Sequence, residues 1–578
     1  MQTAMGNARC AGWMHTSFIP NDEFNKMLTR ETISEVISSV LNLAEPDVEL
    51  PALVDNIDPR DPRDSKTSRK RIFAILTMLD VTDSIVHFID AGIYDKHLPF
   101  EKDKPSGDNQ VRYIGDDGSE AVCPIQCFDN SHAVAHTFRI LQWEYLAPSF
   151  SFGQGEVHHH EIQFPTPLPF IEGDSVPIVG GNSQVSRVVM HPSHHDLTDG
   201  CEFAVKRLSS STNDEFEREV EALKRVRQLN HPHLVKLLGT YKYQEFYYLI
   251  FRWATDDLKT FWRNNPSPDS VSSMSIWALE QCLGIAQGLQ LIHNDHHSPR
   301  NQSGVKGRHG DIKPANILRY APIPGSQDPA WGVLKISDFG LARFHPNDSY
   351  KRQYRNGLVA TYAYRSPEAD LGGEISYLWD IWPLGCLYLE FITWILRGSN
   401  GITAFSEERK DEDESHSLNA YEADSFFKMD NTKTFRACLK DSVRRHIDEL
   451  HGHPECTGLI HDFLALISED LMRVRAKKRA KCNQIVKRLE LMKSKCEDTQ
   501  DYYTKPQKRL VKRATNKSDK SRTYAVPVSN RDSEKAIEES SVSSFGNRSR
   551  WGKGFGGFLY FIGSGFGNSN KNLDSGKE

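Results

Sequence analysis

The switch from strand-like to helical sequence near residue 255 is the feature that most restricts the fold of this chain. Apolar runs rich in β-branched and aromatic residues, each bounded by polar turns, predict strands at 201–208, 233–242 and 245–251. One helical stretch, 215–226, interrupts them, and the sequence beyond residue 255 is mostly helical. A strand-rich lobe followed by a helical lobe predicts an α+β fold with a cleft between the lobes.

The sequence before this two-lobed pattern is predicted to be a helical accessory region. Apolar residues recur at helical spacing in two segments, Ile33, Val36, Ile37, Val40 and Leu41 in the first and Ile72, Ile75, Leu76 and Leu79 in the second. Because 578 residues are too many for one core, we divide the chain into three parts. Residues 1–165 form an accessory region of unknown function, 170–495 the two-lobed domain, and 496–578 a basic, then Gly/Ser/Phe-rich tail predicted to be disordered.

Composition restricts the compartment and the partners of the chain. The 71 basic and 77 acidic residues give a net charge of −6, so no overall positive field favours nucleic acid as a partner. No apolar run approaches the ~20 residues needed to span a bilayer, and the N-terminus lacks a secretory signal. Ten cysteines without a Cys-x-x-Cys pair are typical of reduced thiols. We therefore predict an intracellular protein, located in the cytoplasm or alternatively in the nucleus.

Several polar segments are predicted to be solvated surface. Residues 406–430 carry nine acidic and three basic residues, which indicates an exposed excursion, and 293–308 resembles a polar loop. The His-rich stretches at 158–160, 194–197 and 293–297 are predicted to be solvated loops rather than metal sites.

Four short segments occur in a fixed order and carry residues suited to phosphate chemistry. They are AVK at 204–206, HGDIKPAN at 309–316, DFG at 338–340 and SPE at 366–368, with DIWPLG following at 380–385. Together, with these separations, they resemble the protein-kinase catalytic domain over roughly 170–495. Within that superfamily the chain resembles serine/threonine kinases of filamentous fungi that carry a helical N-terminal region. The resemblance implies a bilobal kinase-like fold, ATP and Mg²⁺ as cofactors, and a protein serine or threonine as the phosphate acceptor.

The first charged residue that the resemblance assigns is Lys206, on a predicted strand, where it is expected to hold the α- and β-phosphates of ATP. A carboxylate on the following helix is expected to pair with it. Glu219 matches the family pattern best, whereas Glu217 and Glu221 are expected to be the exposed face of that helix.

The remaining charged residues belong to the later motifs. By resemblance, Asp311 is the catalytic base, and Lys313 neutralises the phosphate that is transferred. Asn316 and Asp338 supply oxygen ligands, which suit a hard cation such as Mg²⁺. Lys313 together with Thr361 is the pattern of serine/threonine kinases, in which the threonine hydroxyl bridges the base and the lysine.

The resemblance also implies an adenine pocket and a phosphate loop. Phe251 corresponds to the gatekeeper at the back of the pocket, and Arg252–Ala254 to the hinge that binds adenine through its backbone. The expected ATP-binding residues are Gly180, Gly181, Val185, Lys206, Phe251, Trp253 and Ala254. Two further matches are architectural: an ion pair between Glu368 and Arg479, and Asp380 as the anchor of the catalytic loop.

The sequence departs from the family pattern at two places. In the glycine-rich loop, Ile178 occupies the first glycine position and Ser183 the third, which is expected to stiffen the loop. Gly310 occupies a position where many kinases have an arginine that pairs with a phosphate on the activation segment. We therefore predict activity without phosphorylation of that segment, which contains Ser349, Tyr350 and Tyr354.

Other interpretations remain open at this stage. The chain could be a pseudokinase that acts as a binding scaffold, although a scaffold does not need the five charged and polar residues from Lys206 to Asp338. Phosphate transfer to a small molecule is disfavoured by Thr361 and the SPE segment. Cys123 and Cys127 form a C-x₃-C pair that could hold zinc, but without a second pair nearby. The basic segment 508–522 is compatible with a nuclear address, a docking arm or a solvated tail.

Overall fold

The computed structural model describes residues 1–13, 16–42, 49–61, 66–102, 111–153, 155–180, 183–208, 213–294, 306–322, 325, 328–345, 362–371, 375–414, 424–430, 436–508 and 523–525. Three hydrophobic cores form within them: one in the N-terminal region, one on the strand-rich lobe and one that is centred on the helical lobe. No helix in the described ranges is long and apolar enough to cross a membrane.

Residues 1–145 form an N-terminal region of short helices with two small sheets. The helices are α1 (Gln2–Asn7), α2 (Asn21–Met27), α3 (Arg30–Val40), α4 (Leu50–Ile57), α5 (Lys70–Met78), α6 (Ile85–Asp90) and α7 (His132–Leu141). The strands are β1 (Cys10–Ala11), β2 (Ser17–Phe18), β3 (Glu101–Lys102), β4 (Val111–Ile114) and β5 (Glu120–Cys123). Strand β1 pairs with β2, and β3–β4–β5 form a second antiparallel sheet that the helical pattern of the sequence did not indicate.

The two helices predicted from apolar spacing are confirmed. Helix α3 buries Ile33 and Ile37, and the Thr29 side chain caps it by accepting a hydrogen bond from the amide of Thr32. Helix α5 buries Ile72, Ile75 and Leu76 among other side chains. Four mutually packed phenylalanines, Phe88, Phe100, Phe128 and Phe138, complete this core and join helices to the small sheet.

A twisted sheet with one long helix makes the strand-rich lobe. Its elements are β6 (His159–Ile162), β7 (Phe170–Gly173), β8 (Ile178–Val179), β9 (Ser183–Met190), β10 (Glu202–Leu208), α8 (Asn213–Leu229), β11 (Gly239–Tyr243) and β12 (Phe246–Arg252). The strand order is β6-β11-β12-β10-β9-β7, and β8 pairs with β9. The predicted strand at 233–242 is only half correct, because 233–238 is an irregular buried connection and pairing starts at Gly239.

The first strand of this sheet comes from the segment that joins it to the N-terminal region. Strand β6 pairs in parallel with β11, and His159 donates or accepts a 2.9 Å hydrogen bond with the Thr240 hydroxyl. Phe150 and Phe152 pack in the same core as Phe203. The boundary predicted at 165–170 therefore cuts through the lobe, because β6 precedes it in the chain. His159 and His160, which were interpreted as part of a solvated loop, are strand residues.

The helical lobe follows. Its helices are α9 (Leu258–Asn264), α10 (Val271–His293), α11 (Glu368–Leu371), α12 (Ile381–Glu414), α13 (Asp441–His451), α14 (Gly458–Leu466), α15 (Cys482–Asp498) and α16 (Asp501–Thr504). Its strands are β13 (Asp256–Asp257), β14 (Lys306–Arg308), β15 (Ile317–Tyr320), β16 (Val333–Ile336), β17 (Arg343–His345), β18 (Phe427–Asp430), β19 (Arg436–Leu439) and β20 (Thr523–Ala525). The predicted order of a strand-rich lobe before a helical lobe is thus confirmed.

Helix α12 extends into the acidic segment at 406–430, which was predicted to be solvated. The Arg409 side chain of this helix is 1% exposed. Its guanidinium lies 2.8 Å from the Asp424 carboxylate and 3.5 Å from the Glu390 carboxylate. The guanidinium also stacks on the rings of Phe405 and Phe426. Arg409, paired with these carboxylates, therefore fixes its part of the segment to the lobe. The prediction of an exposed excursion is wrong for Arg409 and for 425–427, which are buried, but Glu407 and Asp411 are exposed as predicted.

The tail beyond residue 496 is partly structured. Helix α15 continues to Asp498, α16 follows it, and Thr523–Ala525 pairs antiparallel with β19. The prediction of a disordered tail is therefore wrong for these described residues. Residues 509–522 of the basic segment and 526–578 of the Gly/Ser/Phe-rich segment lie outside the described residues.

Candidate active site

A buried lysine connects the two lobes through two carboxylates. Lys206 lies on β10, between Val185 of β9 and Leu249 of β12 in the register of the sheet. Its Nζ atom is 2.7 Å from Oε1 of Glu219 on α8 and 3.0 Å from Oδ1 of Asp338. The structure thus selects Glu219, among the three glutamates considered, as the partner of the lysine.

The charges at this point hold each other in the ionised state. Burial opposes the charge of Lys206, but Glu219 and Asp338 outweigh burial and raise the pKa of the lysine. Burial would also raise the pKa of Asp338, but Lys206 outweighs it and holds the pKa of that carboxyl below its usual range. Lys206 and Asp338 therefore remain charged at neutral pH.

The backbone of Asp338 has a left-handed conformation, with φ of 62°. A non-glycine residue there costs roughly 1–2 kcal/mol, so the surrounding contacts must hold it. Phe339 is buried and packs edge-on against the His309 imidazole, at 4.9 Å between ring centroids. The strain therefore places the Asp338 carboxylate toward Lys206 while Phe339 anchors the turn in the core.

The segment after β14 brings a second group of polar side chains together. Lys313 Nζ lies 2.7 Å from Oδ2 of Asp311. The Asn316 amide nitrogen donates to the same oxygen at 2.9 Å and to the Asp311 carbonyl at 2.8 Å. These contacts fix the Asp311 carboxylate within a turn of six residues.

A buried aspartate, Asp380, binds the backbone at the start of that turn. The Asp380 carboxylate accepts hydrogen bonds at 2.8 Å from the backbone amides of His309 and Gly310. The His293 imidazole also donates to it from Nε2 at 2.9 Å. Burial would raise the pKa of Asp380, but His293 outweighs it and keeps the carboxyl ionised. Asp380 occupies the anchoring position that the sequence predicted for it, and His293 is a partner that the sequence did not reveal.

His309 has a defined tautomer. Its Nε2 atom lies 2.9 Å from the Ser337 carbonyl, which can only accept, so Nε2 carries the proton. The Nδ1 atom is then free of a proton and accepts from the amide of Asp311 at 3.3 Å. His309 therefore links the turn with Asp311 to the turn with Asp338.

A tight hairpin lies next to Lys206 in the sheet. Strands β8 and β9 pair at Ile178 with Val185, and the Gly180 amide donates to the Ser183 carbonyl at 2.8 Å. A Cβ atom at Gly180 would meet the Ser183 hydroxyl at 3.5 Å, an ordinary contact. Local packing therefore does not require a glycine at position 180. Close approach of a ligand to the backbone is a remaining reason for a glycine there.

A comparison with protein families decides the identity of this arrangement. The family model described as the protein kinase domain matches residues 180–489, more than half of the 578-residue chain. The chain belongs to the protein kinase family. The bilobal fold predicted from the sequence is the fold of these kinases.

Individual relatives of this kinase come from plants. A probable LRR receptor-like serine/threonine-protein kinase of Arabidopsis thaliana is 30% identical over 203 residues, which are 34% of this chain and 18% of the relative. A G-type lectin S-receptor-like serine/threonine-protein kinase of the same plant is 35% identical over 201 residues, or 34% and 22% of the two chains. A cysteine-rich receptor-like protein kinase of Oryza sativa subsp. japonica is 31% identical over 201 residues, or 34% and 28%. This chain thus spans less than a third of the length of these relatives.

The segment predicted to be the hinge follows β12. Phe251 lies opposite Ala204 of β10 and packs against the core centred on the helical lobe. The Trp253 amide donates to the Glu202 carbonyl at 3.3 Å, and the Tyr320 hydroxyl donates to the Arg252 carbonyl at 3.3 Å. Two of the backbone groups expected to bind adenine are therefore already hydrogen-bonded within the protein.

The kinase has an ion pair in the interior of its helical lobe. The Arg479 guanidinium forms two parallel hydrogen bonds to the Glu368 carboxylate, at 2.7 and 2.6 Å. The side chains are 0% and 8% exposed, and Arg479 also donates to the Leu378 carbonyl at 2.9 Å. The pair predicted from the sequence therefore joins the SPE segment to the loop before α15.

The backbone at Gly310 requires a glycine. Its φ is 93°, and a Cβ atom there would come within 3.0 Å of the Leu341 carbonyl oxygen. Most side chains would be strained at such a φ. The backbone conformation at position 310 therefore favours glycine over the arginine that many kinases have before the aspartate.

Some sequence predictions lie outside the described residues. Gly181, Thr361 and the candidate phosphorylation positions Ser349, Tyr350 and Tyr354 belong to this group. The prediction that 194–197 and 293–297 are solvated loops is wrong for His194 and His293, which are 1% and 2% exposed. Both were misjudged because the polar residues beside them suggested loops.

The zinc hypothesis for Cys123 and Cys127 gains no support. All ten cysteines are free thiols, and both of these are buried. Among the described residues, no further metal-ligating side chain joins them in a cluster of three. The hydrogen bond with Cys127, and burial after it, raise the pKa of Cys123, so it remains a protonated thiol.

Proposed function

We propose that this chain is an ATP- and Mg²⁺-dependent kinase that transfers the γ-phosphate of ATP to serine and threonine hydroxyls of proteins. The observation that carries the proposal is the contact of Lys206 with both Glu219 and Asp338, beside the turn that holds Asp311. Phosphoryl transfer needs positioned phosphates, neutralised charge and an oriented hydroxyl, and this arrangement offers a group for each.

The same charges argue against a pseudokinase. Lys206 and Glu219 have side chains only 13% and 11% exposed, and burying charged groups is costly even when they are paired. A binding scaffold gains nothing from this cost, whereas a phosphate-binding enzyme needs the lysine in this place. A pseudokinase that binds ATP without transferring phosphate is the alternative that the experiment below must exclude.

The oxygen donors near Lys206 fit Mg²⁺. Asp338 offers a carboxylate held ionised by Lys206, and Asn316 uses its amide nitrogen on Asp311, so its amide oxygen is the atom left to meet a cation. Hard oxygen ligands of this kind are those that Mg²⁺ prefers. An ion held by these two residues would neutralise negative charge on the phosphate oxygens of ATP.

Asp311 is proposed as the catalytic base, and Lys313 is proposed to neutralise the phosphate that is transferred. Lys313 and Asn316 fix the carboxylate, so that it can accept the proton of an acceptor hydroxyl without reorientation. Thr361 is proposed to shape the acceptor site, as its sequence context suggests. Gly180, Gly181, Val185, Phe251, Trp253 and Ala254 are proposed to surround the nucleotide.

The acceptor and the location are proposed from the relatives and from the sequence. Relatives named as serine/threonine-protein kinases support a protein serine or threonine rather than a small molecule. We propose an intracellular location, cytoplasmic or nuclear, and no nucleic-acid partner. The resemblance to filamentous-fungal kinases with a helical N-terminal region remains a proposal, supported by the helices α1–α7.

Radiolabelled ATP tests this function directly. The full chain with Mg²⁺ is expected to label itself and a generic basic protein, with the label on serine or threonine after acid hydrolysis. The Asp338→Asn variant is expected to transfer no detectable label, because it removes a charge that both the cation and Lys206 require. Binding of ATP without any transfer, or equal transfer by the variant, would contradict the proposal.

Independence from activation-segment phosphorylation is a second proposal, based on Gly310. A chain with Ser349→Ala, Tyr350→Phe and Tyr354→Phe is expected to keep its transfer rate within about twofold, because no arginine precedes Asp311 to bind a phosphate. The rate is measured before and after phosphatase treatment of the wild-type chain. A loss of about tenfold or more in either case would show that the segment must be phosphorylated.

A further inference from the structure

Two histidines and a cysteine meet at the base of the helical lobe, far from the Lys206 site in the sequence. His451 is the last residue of α13, Cys456 lies in the following turn, and His461 is in the first half of α14. Their side-chain donor atoms all lie within 4.8 Å of one another. Cys456 is 1% exposed, His451 is buried and His461 is half-buried. Residues of these types bind zinc and related cations when they converge in this way.

The His461 imidazole is oriented as a metal ligand. Its Nε2 atom lies 2.7 Å from the Gln507 carbonyl, which can only accept a hydrogen bond. Nε2 therefore carries the proton, and in the neutral ring Nδ1 presents a lone pair. Metal-binding histidines almost always donate their second nitrogen to a carbonyl or carboxylate in this way, because the bond fixes the tautomer and the ring.

That lone pair faces more hydrogen-bond donors than it can accept. The Nδ1 atom of His451 lies 2.7 Å from it, and the Cys456 sulfur lies 3.5 Å from it. In the metal-free state this nitrogen is an acceptor for both neighbours, and the thiol also has the Thr457 carbonyl within reach at 4.0 Å. If His451 carries its proton on Nε2 instead of Nδ1 and Cys456 gives up its thiol proton, two imidazole nitrogens and a thiolate all direct lone pairs to one point, where a cation can bind.

The surrounding backbone keeps the three residues in place. The Cys456 amide donates to the His453 carbonyl at 2.9 Å, and the Cys456 carbonyl accepts from the Gln507 amide at 2.8 Å. The Thr457 hydroxyl caps α14 by accepting from the amide of Ile460. The two imidazoles are stacked, with 5.0 Å between centroids. The cluster is therefore held on rigid elements, as a functional metal site needs to be.

We infer that His451 Nδ1, Cys456 Sγ and His461 Nδ1 bind a Zn²⁺ ion, with a fourth position left for a water molecule. Two imidazoles and one thiolate suit this borderline-soft cation better than they suit Mg²⁺ or Ca²⁺. With Zn–N distances of about 2.0–2.1 Å, tetrahedral ligand nitrogens lie about 3.3 Å apart. The two imidazoles would thus need to separate by only about half an ångström from their present contact.

The ion would join three parts of the lobe. His451 belongs to α13, His461 to α14, and the Gln507 carbonyl that orients His461 follows α16. A metal here would fix the end of the catalytic domain, immediately before residues 509–522, to the helices beneath it. The inference concerns a structural site and does not depend on phosphate transfer.

When the ion binds, the Cys456 thiol gives up its proton to the solvent, and no oxidant or reductant is needed.

Metal analysis of the full-length chain tests the inference. The protein is equilibrated with Zn²⁺, desalted and analysed for zinc per chain, and Co²⁺ is used in parallel because a thiolate ligand gives a charge-transfer band in the near ultraviolet. Cys456→Ser and His461→Gln are each expected to bind one zinc fewer than wild type, or to bind it about 100-fold more weakly. Cys456→Ser is also expected to lose the cobalt charge-transfer band.

Two control variants separate this site from other thiols and histidines. Cys496→Ser changes a thiol outside the cluster, and His453→Gln changes a histidine of the same turn that does not belong to it. Both are expected to retain the zinc and the cobalt band. If Cys456→Ser fails to fold, His461→Gln alone decides, since His461 is partly exposed. Equal zinc content in the wild type and both cluster variants, or equal loss in the controls, would overturn the inference.

Discussion

Replacing Asp311 by asparagine is expected to reduce the rate of phosphate transfer by about 10²–10⁴-fold, the range typical for loss of a general base. The amide is nearly isosteric and still offers an oxygen to Lys313 and Asn316, so the turn should keep its shape. It cannot accept the proton of the acceptor hydroxyl. Because Asp311 is not proposed to contact the nucleotide, kcat should fall while KM for ATP stays within a few-fold.

The measurement is steady-state transfer from radiolabelled ATP by the full-length Asp311→Asn variant. Asp269→Asn is the matched control, since the same chemical change occurs at an exposed position before α10. Its rate is expected to equal that of the wild type. A fall in kcat of less than about tenfold in Asp311→Asn would remove Asp311 from the role of base.

Replacing Arg479 by methionine is expected to lower the free energy of unfolding by about 3–5 kcal/mol, the cost of leaving one buried charge without its partner. Glu368 is 7% exposed and loses both hydrogen bonds of the guanidinium. The carbonyls of Leu378 and Arg473 lose a donor as well. Urea unfolding followed by tryptophan fluorescence measures the change, because Trp379, Trp382 and Trp394 are buried in the same lobe.

An exposed ion pair provides the control for this variant. Arg488 lies 3.2 Å from Asp470, with side chains 42% and 32% exposed, and Arg488→Met is expected to cost about 1 kcal/mol or less. The double variant Glu368→Gln with Arg479→Met should recover part of the loss, because no charge then remains buried. Equal effects of Arg479→Met and Arg488→Met would contradict the importance assigned to the buried pair.

The sequence predicted the fold best where local pattern and packing agree. Strand β10 and helix α8 were expected within a few residues of their observed bounds, because apolar residues alternate in one and recur at helical spacing in the other. Strand β6 was missed because its two histidines are polar by type, and only the tertiary pairing with β11 makes them strand residues, with His159 exposed and His160 half-buried. The acidic segment near Arg409 was misjudged for a related reason, since only the tertiary contacts show which charges are paired.

The charged residues of the site were predictable because motifs preserve their order in the chain. The structure brings Lys206, Glu219 and Asp338 into contact, which spacing alone could not establish among three neighbouring glutamates. His293 could not be predicted, since its role depends on Asp380, 87 residues later. The cluster of His451, Cys456 and His461 falls in one short stretch, HGHPECTGLIH, and its histidine and cysteine spacing was a signal that sequence reasoning overlooked.

The parallel pairing of β6 with β11 also determines where the catalytic domain can be separated from the rest of the chain. A fragment that starts at residue 170 would lack β6 and would expose the backbone amides and carbonyls of β11 along an open sheet edge. Such an edge invites pairing with other chains and aggregation. The smallest fragment that keeps this edge covered, and that also keeps Phe150 and Phe152 over the core, starts before residue 150. The segment that joins the accessory region to the catalytic domain is thus structurally part of the catalytic domain.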